Sequence, residues 1–156
     1  MTSKQDFTDE EWARVRRAPL VAGVAISLAD PGGPIELAKE TMATLRSATL
    51  PPSQEELLAS VALDVQAMTQ HKQNPLGDFK PRGGQQVLEE LKAVNEVVTA
   101  KATPEEVEAF RGWLLAAAQA AADAGKEGGF MGFGGEQVSA GEQQMLAQVR
   151  AALGMA

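Results

Sequence analysis

Two aspartates occupy similar settings near the two ends of the chain, and they could bind a metal ion. Asp30 and Asp123 each end an alanine-rich segment, and Glu40 and Glu142 each follow the next glycine-containing turn. An aspartate at a helix C-terminus is unfavourable by about 0.3–1 kcal/mol, because the helix dipole is negative there. Carboxylates beside exposed main-chain carbonyls are ligands that Ca²⁺ and Mg²⁺ prefer. Asp30 and Asp123 are therefore the centre of a possible divalent-metal site, to which Glu36, Glu127 and Glu136 could contribute.

The same carboxylates have a simpler interpretation. Aspartate favours turns because its side chain accepts hydrogen bonds from the nearby backbone, and Pro31 after Asp30 reinforces the turn. Lys39 and Lys126 could neutralise the charges, and the spacing is not that of an EF-hand loop. The sequence therefore leaves two possibilities open, no cofactor at all or a bound Ca²⁺ or Mg²⁺.

A glycine-rich loop over residues 125–136 carries large apolar side chains at Phe130, Met131 and Phe133. If exposed, these side chains could dock a protein partner or a second copy of the chain. Alternatively they fold back onto the bundle, with the glycines permitting a tight path. A phosphate site is disfavoured, because Glu136 stands between the last glycine and the following helix, where an anion would bind.

Residues able to act in covalent or acid–base catalysis are scarce. The chain has no cysteine and a single histidine, His71, which the pattern places at the end of a helix. A cationic imidazole is favoured at that position, so His71 is predicted to be structural. Nothing supplies a positioned nucleophile and base. We predict no catalytic residues and a non-enzymatic protein.

The charge balance limits the partners. The net charge is −7, and the only basic cluster is Arg14, Arg16 and Arg17, with Glu10 four residues before Arg14. That spacing suits an ion pair on a solvated helix face, so no nucleic-acid partner is expected. No apolar run reaches the roughly 20 residues that a transmembrane helix needs, and the N-terminus lacks a secretory pattern. We therefore expect a cytoplasmic protein.

Helix signals are frequent along the chain. Four capping boxes are present, at Thr8–Glu11, Ser53–Glu56, Thr103–Glu106 and Ser139–Glu142. Apolar residues recur at helical spacing in four segments, 53–71, 84–101, 104–124 and 140–153. A break or kink is expected at Pro19, followed by a second helix to about residue 30 and a third over 34–45. The prediction is an all-α bundle of six to seven helices.

One domain over residues 1–156 is expected from the length. Its longest connection, about residues 72–84, is predicted to be mobile, with Phe79 packing back onto the body. Trp12 and Trp113 are expected to anchor the core or an interface. Segments 21–46 and 114–150 share one pattern, an alanine-rich helix, a glycine turn and an amphipathic helix with an early glutamate. This suggests two helix–turn–helix units related as a pseudo-repeat.

The repeated pattern of Ala-Asp, glycine and a glutamate in the next helix resembles the TerB-like tellurite-resistance family. The resemblance covers roughly residues 19–50 and 105–154, although the two turns are "DPGG" and "DAGK" rather than Asp-Gly. It implies an all-helical domain linked to stress responses, with Asp30, Glu40, Asp123 and Glu142 as metal ligands. The tail "EGGFMGFGG" is also similar to that of a group of uncharacterised bacterial proteins.

Two functions follow from the sequence. The first is a cytoplasmic interaction module, with a possible role in stress, that uses Phe130, Met131 and Phe133 to bind a protein partner or to self-associate. The alternative is a divalent-cation-binding protein that uses the two acidic turns.

Overall fold

A computed structural model describes residues 2–30, 32–126 and 139–155, without the side chains of residues 125 and 126. These ranges contain six α-helices, one short 3-10 helix and no β-strand, which confirms the predicted all-α bundle. The 3-10 helix covers Lys4–Asp6, and the α-helices are α1 (Asp9–Ala29), α2 (Pro34–Thr49), α3 (Glu56–Gln70), α4 (Gly84–Lys101), α5 (Pro104–Lys126) and α6 (Ala140–Ala152).

Helix α1 is the central element of the bundle, since it packs against each of the other five helices. Residues 18–23 are all buried, so this stretch contacts protein on every side. The helix continues through Pro19, so a break with a second helix after it is wrong, and the alternative of a kink stays a prediction. A proline inside an isolated helix costs about 3 kcal/mol. Leu20, Val21 and Ala22, which follow the proline, are buried, and the free energy gained by their burial offsets that cost.

Three of the four predicted capping boxes are present, at α1, α5 and α6. In the first, Glu11 N donates to Thr8 Oγ1 over 3.1 Å, and Thr8 N donates to Glu11 Oε1 over 2.9 Å. The box predicted at Ser53 is wrong. Helix α3 begins later, with Glu55 as its N-cap residue, so Ser53 lies upstream of the helix and its hydroxyl is buried without a hydrogen-bond partner among the described residues.

Glu106, the acidic member of the α5 box, also fixes the N-terminus of the chain. Thr2 Oγ1 donates to Glu106 Oε1 over 2.6 Å, and Thr2 N donates to Oε2 over 3.0 Å. Burial acts to raise the pKa of Glu106, but the hydrogen bonds from Thr2 and Thr103 outweigh it, so that the pKa is lowered. Glu106 is therefore a charged and fully bonded structural residue.

The core follows the predicted apolar faces of the helices. The buried residues on these faces include Leu58, Val61, Val65, Val87, Leu91, Val94, Val98, Phe110, Leu114, Ala118, Val149 and Leu153. Trp12 and Trp113 are both buried, and their indole N–H groups donate to Asp64 Oδ2 over 2.7 Å and to Ser47 O over 2.8 Å. Both tryptophans therefore belong to the core.

The sequence predicted that the basic cluster of Arg14, Arg16 and Arg17 lies on a solvated helix face, and this prediction is wrong. Arg17 donates to Glu90 of α4 over 2.9 Å, and Arg16 lies 3.8 Å from Asp64 of α3. Arg14 lies 3.8 Å from Glu90, rather than pairing with Glu10 in its own helix. These arginines therefore tie α1 to two neighbouring helices, and their charges are compensated.

The connection between α3 and α4 is held at Phe79, as predicted. Phe79 is partly buried against the core, and the Arg17 guanidinium carbon lies 5.1 Å from the centre of its ring. Leu76 also packs against the core, so the connection contacts the bundle through two apolar side chains.

Candidate functional site

Two of the four predicted metal ligands lie beside the C-terminal end of α1. Glu40 is 2% exposed and accepts a hydrogen bond from Ser27 Oγ over 2.6 Å. Glu142 is fully buried, and its Oε1 accepts from Ser139 N over 3.1 Å in the α6 capping box. Gly141 packs against the end of α1, where a Cβ atom would come 3.2 Å from the Ala29 carbonyl oxygen. Each glutamate therefore has hydrogen bonds to neighbouring protein groups.

The two aspartates occupy different positions. Asp30 is the C-cap residue of α1, as predicted, and its N–H donates to Ile26 O over 3.3 Å. Asp123 is exposed within the last turn of α5 and accepts from Gln119 Nε2 over 3.0 Å. Across the described ranges, no three His, Asp or Glu side chains are grouped closely enough to hold a metal ion. The metal assignment therefore stays a prediction from the sequence.

The apolar loop residues Phe130, Met131 and Phe133 lie outside the described residues. Their assignment to partner docking thus stays a prediction as well. His71 is the C-cap residue of α3 and is exposed, in agreement with its expected place at a helix end.

Helix α2 has an unusual distribution of side chains, and it is the strongest candidate for a functional surface. Its buried residues are Glu40, Thr44 and Ala48, which are polar or small. Two of its large apolar residues face solvent instead, with Ile35 76% exposed and Met42 66% exposed, whereas Leu45 is partly buried against the core. An amphipathic helix normally turns its large apolar side chains toward the core. In α2 the arrangement is reversed.

Close packing against α1 and α5 explains what α2 buries. Gly23 of α1 faces Thr44, whose side chain occupies the space that a Cβ atom at Gly23 would take. The Thr44 hydroxyl donates to Glu40 O over 2.7 Å, which satisfies it inside the bundle. On the other side, the Trp113 indole N–H of α5 donates to Ser47 O. The close approach at Gly23 leaves room only for a short side chain at position 44, and the face of α2 that packs inward carries polar or small residues rather than large apolar ones.

The exposed side of α2 forms a regular stripe. It consists of Ile35, Ala38, Met42, Leu45 and Thr49, which we call the outer stripe. The steps between these residues alternate between three and four, the spacing of an apolar seam that packs against another helix. Leu45 and Thr49 are half-buried, and Ile35, Ala38 and Met42 are exposed. The geometry of the stripe is therefore suited to contact with a helix that is not part of this bundle.

Helix α3 borders the outer stripe and completes a groove. The groove has a volume of about 540 Å³ and is lined by Met42, Leu45, Arg46, Thr49, Gln66, Thr69 and Gln70. Leu63, which lies one turn before Gln66 on the exposed side of α3, is 65% exposed. We call this the α2–α3 groove. Apolar side chains and neutral polar groups dominate it.

The electrostatics of the groove differ from those of the whole chain. Arg46 is the one charged residue among the described residues that line it. Arg46 makes no ion pair within 4.0 Å with any described residue. The groove is thus locally cationic in a protein whose net charge is −7.

A second groove, of about 530 Å³, lies where α4 meets α5. It is lined by Thr99, Ala102, Pro104, Val107, Glu108, Arg111, Arg150 and Met155. Arg111 is held by Asn95 Oδ1 over 2.8 Å and by Thr99 Oγ1 over 3.4 Å. The lining contains Glu108 beside Arg111 and Arg150, and Arg111 is already hydrogen-bonded to protein groups. We therefore interpret this groove as part of the packing between helices rather than as a binding site.

The sequence interpretation missed the outer stripe. The signal was present, because residues 35, 38, 42, 45 and 49 keep a seam spacing opposite the smaller residues 40, 44 and 48. The choice of buried face depends on Gly23 and Trp113, which belong to other helices. The α2 sequence alone does not contain that information.

The fold and the site define a class, an all-α helical bundle with an apolar helix face that the described residues leave exposed. Within the described ranges, no helix has the length and apolar character needed to cross a membrane. No protein-family model, curated protein or solved structure matches the chain. The resemblance to the TerB-like family therefore remains a prediction from the sequence.

Proposed function

We propose that this protein is a non-enzymatic interaction module that docks another polypeptide on the outer stripe of α2. The observation that carries the proposal is the reversed helix, which buries Glu40 and Thr44 and exposes Ile35 and Met42. A large exposed apolar surface on a soluble domain is typical of protein-binding sites. The seam spacing favours a helix as the docked element.

The expected strength of the interaction follows from the exposed area. Fully burying a Leu, Ile or Met side chain contributes about 1.5–3 kcal/mol. Ile35, Met42 and Leu63 are each between 65% and 76% exposed, so covering each of them contributes roughly 1–2 kcal/mol. Association itself costs at least about 4 kcal/mol. Covering these three side chains therefore supports a weak, transient contact, and the partner must add further contacts for a tight one.

Other parts of the proposal rest on the sequence alone. Docking through Phe130, Met131 and Phe133 concerns residues outside those described, and it is independent of the α2 surface. A cytoplasmic location and a role in stress responses are also kept as predictions. The alternative function, binding of Ca²⁺ or Mg²⁺ by Asp30, Glu40, Asp123 and Glu142, stays a separate proposal.

Photo-crosslinking tests the docking proposal directly. A benzophenone amino acid replaces Met42 in the protein expressed in its own cells, and illumination should yield a covalent adduct of defined mass. The matched control places the same amino acid at Glu96, an exposed position on α4. Ile35→Ser should reduce the adduct at position 42, since it removes an adjacent part of the stripe. No adduct at position 42, or equal adducts at both positions, would contradict the proposal.

A further inference from the structure

The charges around the outer stripe narrow the choice of partner. Lys39 and Arg46 each directly follow a stripe residue, Ala38 and Leu45, and they are seven positions apart. On a helix this spacing places both cations on the same flank of the stripe. Charges that flank an apolar seam select the helix that packs there.

The facing part of α3 contributes no acidic group to this surface. The α3 residues that line the groove are Gln66, Thr69 and Gln70, all of them uncharged. Arg46 is the one charged residue that lines the groove within the described ranges. A docked helix would therefore meet apolar side chains in the middle and positive charge along one edge.

A second copy of the chain is a poor match for this pattern. Suppose that two α2 helices pack antiparallel, with a two-fold axis at Met42. A residue that lies three or four positions before Met42 in one copy then lies beside a residue three or four positions after Met42 in the other copy. Lys39 of one copy would then lie beside Arg46 of the other. This like-charge contact opposes self-association through α2.

Resting on the proposed function, we infer that the α2–α3 groove binds an amphipathic helix of another protein that carries acidic residues along one edge of its apolar face. The apolar residues of that helix cover Ile35, Met42 and Leu63. Its carboxylates pair with Arg46 on the flank of the stripe. An arginine can bind a carboxylate through two parallel hydrogen bonds, which fixes the register of the bound helix.

A series of synthetic peptides tests this inference on the full-length protein. Three helical peptides, matched in length to the 16 residues of α2, carry the same leucine seam and have glutamate, glutamine or lysine along one flank. Fluorescence anisotropy of labelled peptides gives each dissociation constant. The glutamate peptide should bind at least about tenfold more tightly than the lysine peptide, a ratio that corresponds to about 1.4 kcal/mol.

Variants of the protein assign the effect to particular residues. Arg46→Gln should remove most of the preference for glutamate, and Met42→Ser should weaken the binding of all three peptides. Both positions are exposed or at the groove edge, so circular dichroism should show unchanged folding for each variant. Equal binding of the three peptides overturns the inference but leaves α2 docking intact.

One further result would also overturn the inference, and it points to another occupant. If no peptide binds and sedimentation velocity shows a dimer that Met42→Ser dissociates, the occupant is a second copy. Failure of the proposed function itself is seen separately, as the absence of a crosslink at position 42.

Discussion

Helices α1 and α2 are neighbours in the chain and in the bundle, yet they bury opposite kinds of side chain. In α1 the buried residues include large apolar ones, and Val21 and Ile26 have no exposure to solvent. In α2 the buried positions hold Glu40 and Thr44, while Ile35 is exposed. Since both helices belong to one bundle, the difference shows that α2 is placed by close backbone packing rather than by burial of large side chains.

The contrast also separates two uses of apolar residues. The buried apolar residues of α1 stabilise the fold, because they are removed from water. Ile35 and Met42 on the outer stripe of α2 contribute little to folding, because they remain exposed in the folded bundle. Residues that do not stabilise the fold yet keep seam spacing are the natural candidates for binding.

The largest expected effect is the difference between two isoleucines, one in each helix. Ile26→Ala in α1 should lower the free energy of unfolding by about 2–5 kcal/mol, since Ile26 is fully buried. Ile35→Ala in α2 makes the same chemical change at a position that is 76% exposed, and should alter stability by no more than about 0.5 kcal/mol.

Chemical denaturation of both variants by urea measures this difference. If Ile35→Ala is as destabilising as Ile26→Ala, then Ile35 is covered in the folded protein and the outer stripe is part of a core. Peptide binding is measured on the same two variants as a second criterion. Ile35→Ala should weaken peptide binding because Ile35 belongs to the binding surface, whereas a change that only lowers stability should leave the affinity of the folded protein unchanged.

A smaller effect is expected where the two helices touch. Gly23→Ala places a Cβ atom in the space occupied by the Thr44 side chain and should destabilise the protein by about 1–3 kcal/mol. This loss would appear although alanine is the better helix former by about 0.5–1 kcal/mol. Thr44→Ala in the same chain should recover part of it, because the hydroxyl and methyl groups that crowd the new atom are removed.

Gly112→Ala is the matched control for this contact. Gly112 lies within α5, and a Cβ atom there would meet nothing within 4 Å. Alanine should therefore stabilise the helix at this position, by up to about 1 kcal/mol. Thermal unfolding measures the stability of Gly23→Ala, Gly23→Ala/Thr44→Ala and Gly112→Ala relative to the unchanged chain. Equal behaviour of Gly23→Ala and Gly112→Ala would show that α1 and α2 are not in close contact.

Sequence patterns were most reliable where a helix has one apolar side. The predicted faces of α4 and α5 are buried as expected, because their large residues recur on a single side, as in Leu91 and Val94 or Phe110 and Leu114. Local capping patterns also placed the starts of α1, α5 and α6. These signals are contained within one segment of the chain, so a sequence is enough to read them.

The errors arose where distant residues decide the outcome. Arg17 pairs with Glu90, a residue far away in the sequence, so no local spacing could predict the ion pair. Continuation of α1 through Pro19 depends on the surrounding helices, which bury both flanks of the proline. The outer stripe of α2 was missed for the same reason, since Gly23 in another helix determines which side of α2 faces inward.

The smallest expected effect concerns Glu40, the buried carboxylate that distinguishes α2 from α1. The hydrogen bond from Ser27 Oγ over 2.6 Å gives Glu40 Oε2 a structural partner, and no three His, Asp or Glu side chains are grouped closely enough to hold a metal ion in the described ranges. We therefore expect thermal unfolding to be unchanged, within error, by Ca²⁺ or Mg²⁺. A specific ion present at 100 times its dissociation constant would instead add about 2.7 kcal/mol. Such a shift, if lost in Asp30→Asn/Asp123→Asn, would show that the buried polar side of α2 serves a metal site rather than close packing.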